Sequence, residues 1–202
     1  MRNIVCFCEH NFEIDIPDII DMEKDENIIN SILAGEFMNI KCPNCKTLLK
    51  PELPLRLIDN SKKIDIYFIP EIDRTSFLMN KLPYDINTPE RIVIGYKELV
   101  EKITILQNGL NDQAIEIIKY YILSKAREKA MGDDIRIFFH KQENDTFFFY
   151  IEGLKKDEIG QYEIKNDLYQ KVQQDVVNKL SDPSFSVFLQ PPYVSLNKVY
   201  ME

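Results

Sequence analysis

Phe12, Ile14 and Ile16 alternate with Glu13 and Asp15, the period of a half-buried strand that Pro17 ends. Ile28, Ile29, Ile32 and Leu33 then recur at helical spacing, predicting a helix over about Asp25 to Glu36 with Gly35 at its C-terminal cap. Ile40 marks a short strand, and another follows from Thr47, interrupted by Pro51 and Pro54 as in an edge strand or bent ribbon. Residues 64–69 (Ile64-Asp65-Ile66-Tyr67-Phe68-Ile69) read as a strong strand closed by Pro70. A polar, irregular stretch with Pro83 and Pro89 separates this half from a short strand at residues 91–94.

Beyond it the pattern turns helical. One helix is expected from about Tyr96 to Leu106, ended near Gly109. A second, capped by Asn111 or Asp112, should run to about Met131 with Gly132 as C-cap and Ala114, Ile117, Ile118, Tyr121 and Ile122 inward. Residues 135–140 and 146–151 predict a β-hairpin around Gln142-Glu143-Asn144-Asp145, and Asp133-Asp134 a solvated turn before it. A last helix, capped by Asn166 or Asp167, places Leu168, Val172, Val176 and Leu180 inward. The apolar tail from Ser184 is expected to pack as extended chain.

Four cysteines supply the chemistry: Cys6-Phe7-Cys8 and Cys42-Pro43-Asn44-Cys45. Two close pairs bring four thiolates to one ion, as a tetrahedral structural zinc site requires. Pro43 pre-sets the second turn and Asn44 tolerates its special dihedrals. The 33 residues between the pairs (9 to 41) exceed the usual spacing, and the helix at 25–36 accounts for them as an insert. Four sulfurs leave no open coordination position, so the site is read as structural. Two disulfides or four free core thiols are the alternatives, and His10 is an alternative ligand to Cys6. His140 has no nucleophile motif beside it and is read as structural.

The expected fold is α+β. A zinc ribbon with a helical insert occupies residues 1–72, a connecting segment 73–90, and an α+β domain of three helices plus a β-hairpin 91–202. Hydrophobic content of 45% is enough for a core, and no apolar run is long enough to span a membrane. The N-terminus lacks the apolar core of a signal peptide, so the expected setting is the cytoplasm, with reduced thiols. Net charge is −8, and the first sixty residues carry six Lys or Arg against eleven Asp or Glu. That balance argues against a phosphate-binding surface. Phe147-Phe148-Phe149-Tyr150 is expected as a strand buried on both faces, and Lys125, Arg127 and Lys129 as a cluster answering the helix dipole.

Cys42-Pro43-Asn44-Cys45, Cys8-Glu9-His10-Asn11-Phe12-Glu13, Leu33-Ala34-Gly35-Glu36-Phe37 and Tyr67-Phe68-Ile69-Pro70 together resemble the bacterial CpXC-domain family, named for its repeated Cys-Pro-x-Cys motif. The resemblance spans roughly residues 4–125. It implies the zinc ribbon and a bacterial source, and supplies no activity. The first pair departs from the motif, being one residue short and without its proline. The function expected is a non-enzymatic zinc-binding interaction or adaptor module with a protein partner, a homodimer being one form. The alternatives are a nucleic-acid-binding ribbon and an enzyme using Asp65, Glu71 and Asp73 around a second metal.

Overall fold

Alternation sets the first strands. In the computed structural model, which describes residues 1–25, 27–128, 135–155 and 157–201, β1 (Arg2–Val5) pairs antiparallel with β2 (Asn11–Ile14). β3 (Ile19–Asp21) follows, then α1 (Asn27–Leu33), which buries Ile29 and Ile32. The helix is shorter than its apolar period suggests. Asp25 stays outside as a cap, its carboxylate accepting the Asn27 backbone N–H at 3.0 Å. Gly35, at φ +74°, closes the other end as expected, with the N–H of Glu36 returning to the Ser31 carbonyl at 2.8 Å.

β4 (Ile40–Lys41) and β5 (Leu48–Leu49) form a second small hairpin. β6 (Leu55–Asp59), β7 (Ile64–Ile69) and β8 (Arg91–Ile94) join β3 in a four-stranded sheet of order β3-β6-β7-β8. The outer pairs are parallel and the central one antiparallel. The expected interrupted strand after Thr47 is thus two strands. Pro51 and Pro54 lie between them and remove no ladder donor, so β6 sits inside the sheet rather than at its edge. The connecting segment also holds structure that composition hid: a 3-10 turn (Glu71–Asp73) and α2 (Arg74–Leu78).

α3 (Gly95–Gln107) starts directly from β8. Glu52 ties it to the chain leaving the second hairpin: its two carboxylate oxygens accept the backbone N–H groups of Tyr96, at 2.9 Å, and Glu71. Lys50 adds its Nζ over the Tyr96 ring, 3.4 Å from the centroid, and donates to the Gly35 carbonyl at 2.8 Å.

The chain forms two compact units, residues 1–103 and 104–202, and the division falls inside α3. In the second, Asn111 caps α4 (Asp112–Arg127) by accepting the Ala114 N–H. Ala114, Ile117, Ile118 and Ile122 are buried as expected, whereas Tyr121 is exposed. The expected continuation to Met131, the Gly132 cap and the Asp133-Asp134 turn lie outside the described residues.

The expected hairpin is a three-stranded antiparallel meander: β9 (Arg136–Glu143), β10 (Thr146–Lys155) and β11 (Glu158–Lys165), with β10 central. Phe147 and Phe149 are fully buried, but Phe148 and Tyr150 are only half-buried on the other face, which corrects the expectation of a strand buried on both sides. α5 (Asn166–Leu180) buries Tyr169, Val172 and Val176; the expected caps Asn166 and Asp167 are its first two residues, and Lys165 holds the N-cap position without a side-chain cap bond. Leu168 is 45% exposed, since the packed stripe runs through Tyr169 instead. The tail is not extended throughout. Asp182 accepts the Ser184 N–H at 2.9 Å and Pro183 opens α6 (Pro183–Leu189), which buries Phe185, Phe188 and Leu189. The architecture among the described residues is α+β with six α-helices.

Candidate metal centre

The two hairpins of the N-terminal unit end in the two cysteine turns. Ile4, Cys6, Cys42 and Leu49 make a small buried core, with Phe12, Ile14 and Ile40 packed against it. The turns close alike despite their unequal lengths. The Cys6 N–H donates to the His10 carbonyl and the Cys42 N–H to the Thr47 carbonyl, both at 2.9 Å. In each, the residue after the second cysteine takes a left-handed conformation: Glu9 at φ +65° and Lys46 at φ +63°. The missing residue of the first pair is therefore absorbed between its cysteines. The special dihedral expected at Asn44 falls on Lys46 instead, and Asn44 directs its side-chain amide toward Cys8 Sγ at 3.8 Å.

All four sulfurs lie within 4.8 Å of one another, and among the described residues this is the cluster able to hold a metal. Cys6 Sγ is 3.5 Å from Cys45 Sγ, and Cys8 Sγ 3.8 Å from Cys42 Sγ. Four sulfurs at about 2.3 Å from one ion would stand about 3.8 Å apart in a tetrahedron, so the cluster fits a metal with little adjustment. These separations are far beyond a disulfide bond of about 2.05 Å, and all four cysteines are free. Cys6 and Cys42 are buried, Cys8 and Cys45 exposed. His10 is outside the sulfur cluster and stacks on Phe12, ring centroids 5.9 Å apart.

The surroundings of Cys45 and Cys6 push their thiols in opposite directions. The Thr47 hydroxyl, with Sγ–Oγ1 at 3.2 Å, and the Thr47 backbone N–H favour the Cys45 thiolate and lower it to about 6. At Cys6 the Cys8 backbone N–H acts downward, but burial and the neighbouring Cys45, Cys42 and Cys8 sulfurs outweigh it and raise that thiol to about 12. A divalent cation would favour the thiolate at each of these sulfurs, because each then faces positive charge.

The other sequence candidates are not gathered into a site. Asp65 is gripped by Arg56 through both oxygens, at 2.6 and 2.7 Å. Glu71 pairs with Arg74, and Asp73 accepts the Tyr84 hydroxyl at 2.8 Å. His140 stacks on Tyr150 at 4.3 Å, and burial pushes it below the usual imidazole range. Lys125 donates to the Tyr162 hydroxyl at 3.3 Å, and Lys129 lies outside the described residues. Sequence reasoning missed a cleft of about 500 Å³ lined by Arg2, Arg56, Tyr67 and Tyr84, of which Arg56 and Tyr67 lie side by side in register on β6 and β7. Its signal was the polar members of β6 and β7. Both arginines are already paired, Arg2 with Asp18 and Arg56 with Asp65. Among the described residues no helix is long and apolar enough to cross a membrane.

A protein of Treponema pallidum (strain Nichols), described as an uncharacterized protein, is 23% identical to this chain over 194 residues, covering 87% of this chain and 88% of the relative. No solved structure matches the chain. The CpXC protein profile matches residues 4–119, a span that contains both cysteine turns and the four-stranded sheet, and the chain belongs to the CpXC protein family.

Proposed function

We propose that this is a cytoplasmic protein whose four cysteines hold one structural zinc ion, and whose metal-closed hairpins present a surface to a protein partner. The zinc reading rests on the donor set. Four soft thiolates at near-tetrahedral spacing suit zinc, and a Cys₄ site has no open position for a substrate. The two hairpins would then be the arms of a zinc ribbon, with β3 and α1 as its insert.

The partner reading rests chiefly on Phe7. It stands between two of the candidate ligands and is 93% exposed, so a large aromatic is held in water within the first cysteine turn. Aromatic side chains of that kind anchor protein interfaces by filling a pocket on the other chain. The net charge of −5 over the first sixty residues favours a protein over a nucleic acid. A second copy of this chain is one candidate partner.

Elemental analysis of protein purified without added metal tests the first part. One zinc per chain is expected, lost in Cys42→Ser. A metal-free parent would overturn it. A photo-reactive residue at position 7 tests the second part: crosslinks to protein are expected, and crosslinks to nucleic acid, or none, would overturn it.

A further inference from the structure

We propose that the sulfur cluster is also a site of oxidative modification, where a peroxide-class oxidant replaces the metal with two disulfides running across the turns, Cys6–Cys45 and Cys8–Cys42. The inference rests on the metal-site reading above and adds a second covalent state of the same four residues.

All four sulfurs lie within 4.8 Å of one another, and two of their contacts join one turn to the other: Cys6 to Cys45 at 3.5 Å and Cys8 to Cys42 at 3.8 Å. Each contact also joins one exposed cysteine to one buried cysteine. An exposed thiolate next to a sheltered thiol is the arrangement in which an oxidised sulfur is resolved by its neighbour rather than oxidised further. Cys8 and Cys45 would meet the oxidant, and Cys42 and Cys6 would resolve them. Pairing within the turns is disfavoured by the first one, where a single residue separates Cys6 from Cys8 and the resulting ring would be strained.

The step balances. The Cys8 thiolate attacks one peroxide oxygen, the O–O bond breaks, and hydroxide leaves to give a sulfenic acid at Cys8. The Cys42 thiolate then attacks that sulfur, forming the S–S bond and expelling a second hydroxide. Cys45 and Cys6 repeat the sequence with a second peroxide. Four sulfurs lose four electrons in total, two peroxides become four hydroxides that solvent protonates to water, and the metal ion is released because no thiolate remains to hold it. Both disulfides join the same two hairpins that the metal joins, so their apolar core stays closed.

Peptide mapping of the metal-loaded protein after excess hydrogen peroxide, with free thiols blocked and no reductant, tests this. Trypsin cuts after Arg2, Lys24, Lys41 and Lys46, so Cys6 and Cys8 fall on peptide 3–24, and Cys42 and Cys45 on peptide 42–46. The expected result is the two peptides joined and four hydrogens lighter, appearing together with released metal in a chromogenic chelator assay. The Cys6→Ser/Cys45→Ser variant should still link Cys8 to Cys42 more completely than Cys6→Ser/Cys42→Ser links Cys8 to Cys45. Two separately oxidised peptides, unlinked sulfinic acids, no reaction, or equal linkage in the two variants would overturn the pairing. A metal-free parent that still gave the linked peptides would sink the zinc reading while leaving the pairing intact.

Discussion

Replacing Gly95 by alanine should cost the protein about 1.5–3 kcal/mol, more than a left-handed glycine alone explains. Gly95 links β8 to α3 at φ +73°. An L-residue forced into that conformation costs about 1–2 kcal/mol. A methyl group there would also collide with Glu71 Oε2 and lie 3.3 and 3.4 Å from the Glu71 Cβ and Cδ. Moving Glu71 aside loosens its ion pair. Arg74 Nη2 donates to its Oε2 at 2.8 Å, and the same guanidinium reaches Glu98 at 3.0 Å and the Ile94 carbonyl at 3.1 Å. Glu71 is half exposed, so loosening its pair adds only about 0.5–1 kcal/mol after solvent screening.

Gly109 supplies the control. It has φ +65° but nothing within 4 Å of an added Cβ, so Gly109→Ala should show the backbone cost alone, about 1–2 kcal/mol. Urea unfolding followed by far-UV circular dichroism would measure both, and in a Glu71→Ala background, which lacks the Arg74 pair from the start, adding Gly95→Ala should cost only the Gly109→Ala amount. If Gly95→Ala and Gly109→Ala lost the same stability within about 0.5 kcal/mol, the close approach of Glu71 would have no energetic consequence and the reasoning would fail.

Phe149→Ala, at a fully buried position of the central meander strand, should lose about 3–5 kcal/mol in the same assay. Phe7→Ser should change stability by less than about 0.5 kcal/mol and leave metal content unaltered, since its side chain touches little but water. The Arg56 guanidinium beside Asp65 holds that carboxyl below the usual carboxylate range, with burial opposing. A depressed folded-state value means the pair stabilises fully above the ordinary carboxylate range and loses that contribution as pH falls through the folded value. Asp65→Asn should therefore be less stable than the parent by about 1 kcal/mol at neutral pH and converge with it in acid, read from urea midpoints against pH. Chelation should remove the ordered near-metal NMR signals of residues 4–14 and 40–49 while those of the meander persist, because the hairpin core is only four buried residues.

Strands with an unbroken signal were legible in the sequence. Residues 64–69 and 91–94 appear at the expected bounds, since proline or polar residues flank a short β-branched run. The four cysteines could be singled out because two close pairs of thiols are the spacing that brings four ligands to one ion. What escaped was set by neighbours rather than by local pattern. β6 reads as a broken edge strand because two prolines precede it, and only pairing with both β3 and β7 makes it interior. β11 alternates Tyr162 and Ile164 with Gln161 and Glu163, a period that was present but weak beside Gly160. α6 carried a helical start in Asp182-Pro183 and a stripe at Phe185, Phe188 and Leu189, masked by the Pro191-Pro192 that follows. The left-handed turn residues, Glu9 and Lys46, have no compositional marker, because hydrogen bonds across the turn impose their conformation.

Between its two turns the chain leaves the cysteine hairpins to lay β3 against β6, then returns through α1. All four sulfurs are therefore synthesised before β6, β7 and β8 exist. On the ribosome, an ion captured at Cys45 would fasten β3 at both ends while its sheet partner was still inside the exit tunnel. The strand would wait in place as a template, and the slow search for a parallel neighbour would shrink to a short one. The order of translation would thus make metal capture an early folding event, with the sheet assembled onto a segment the ion has already fixed.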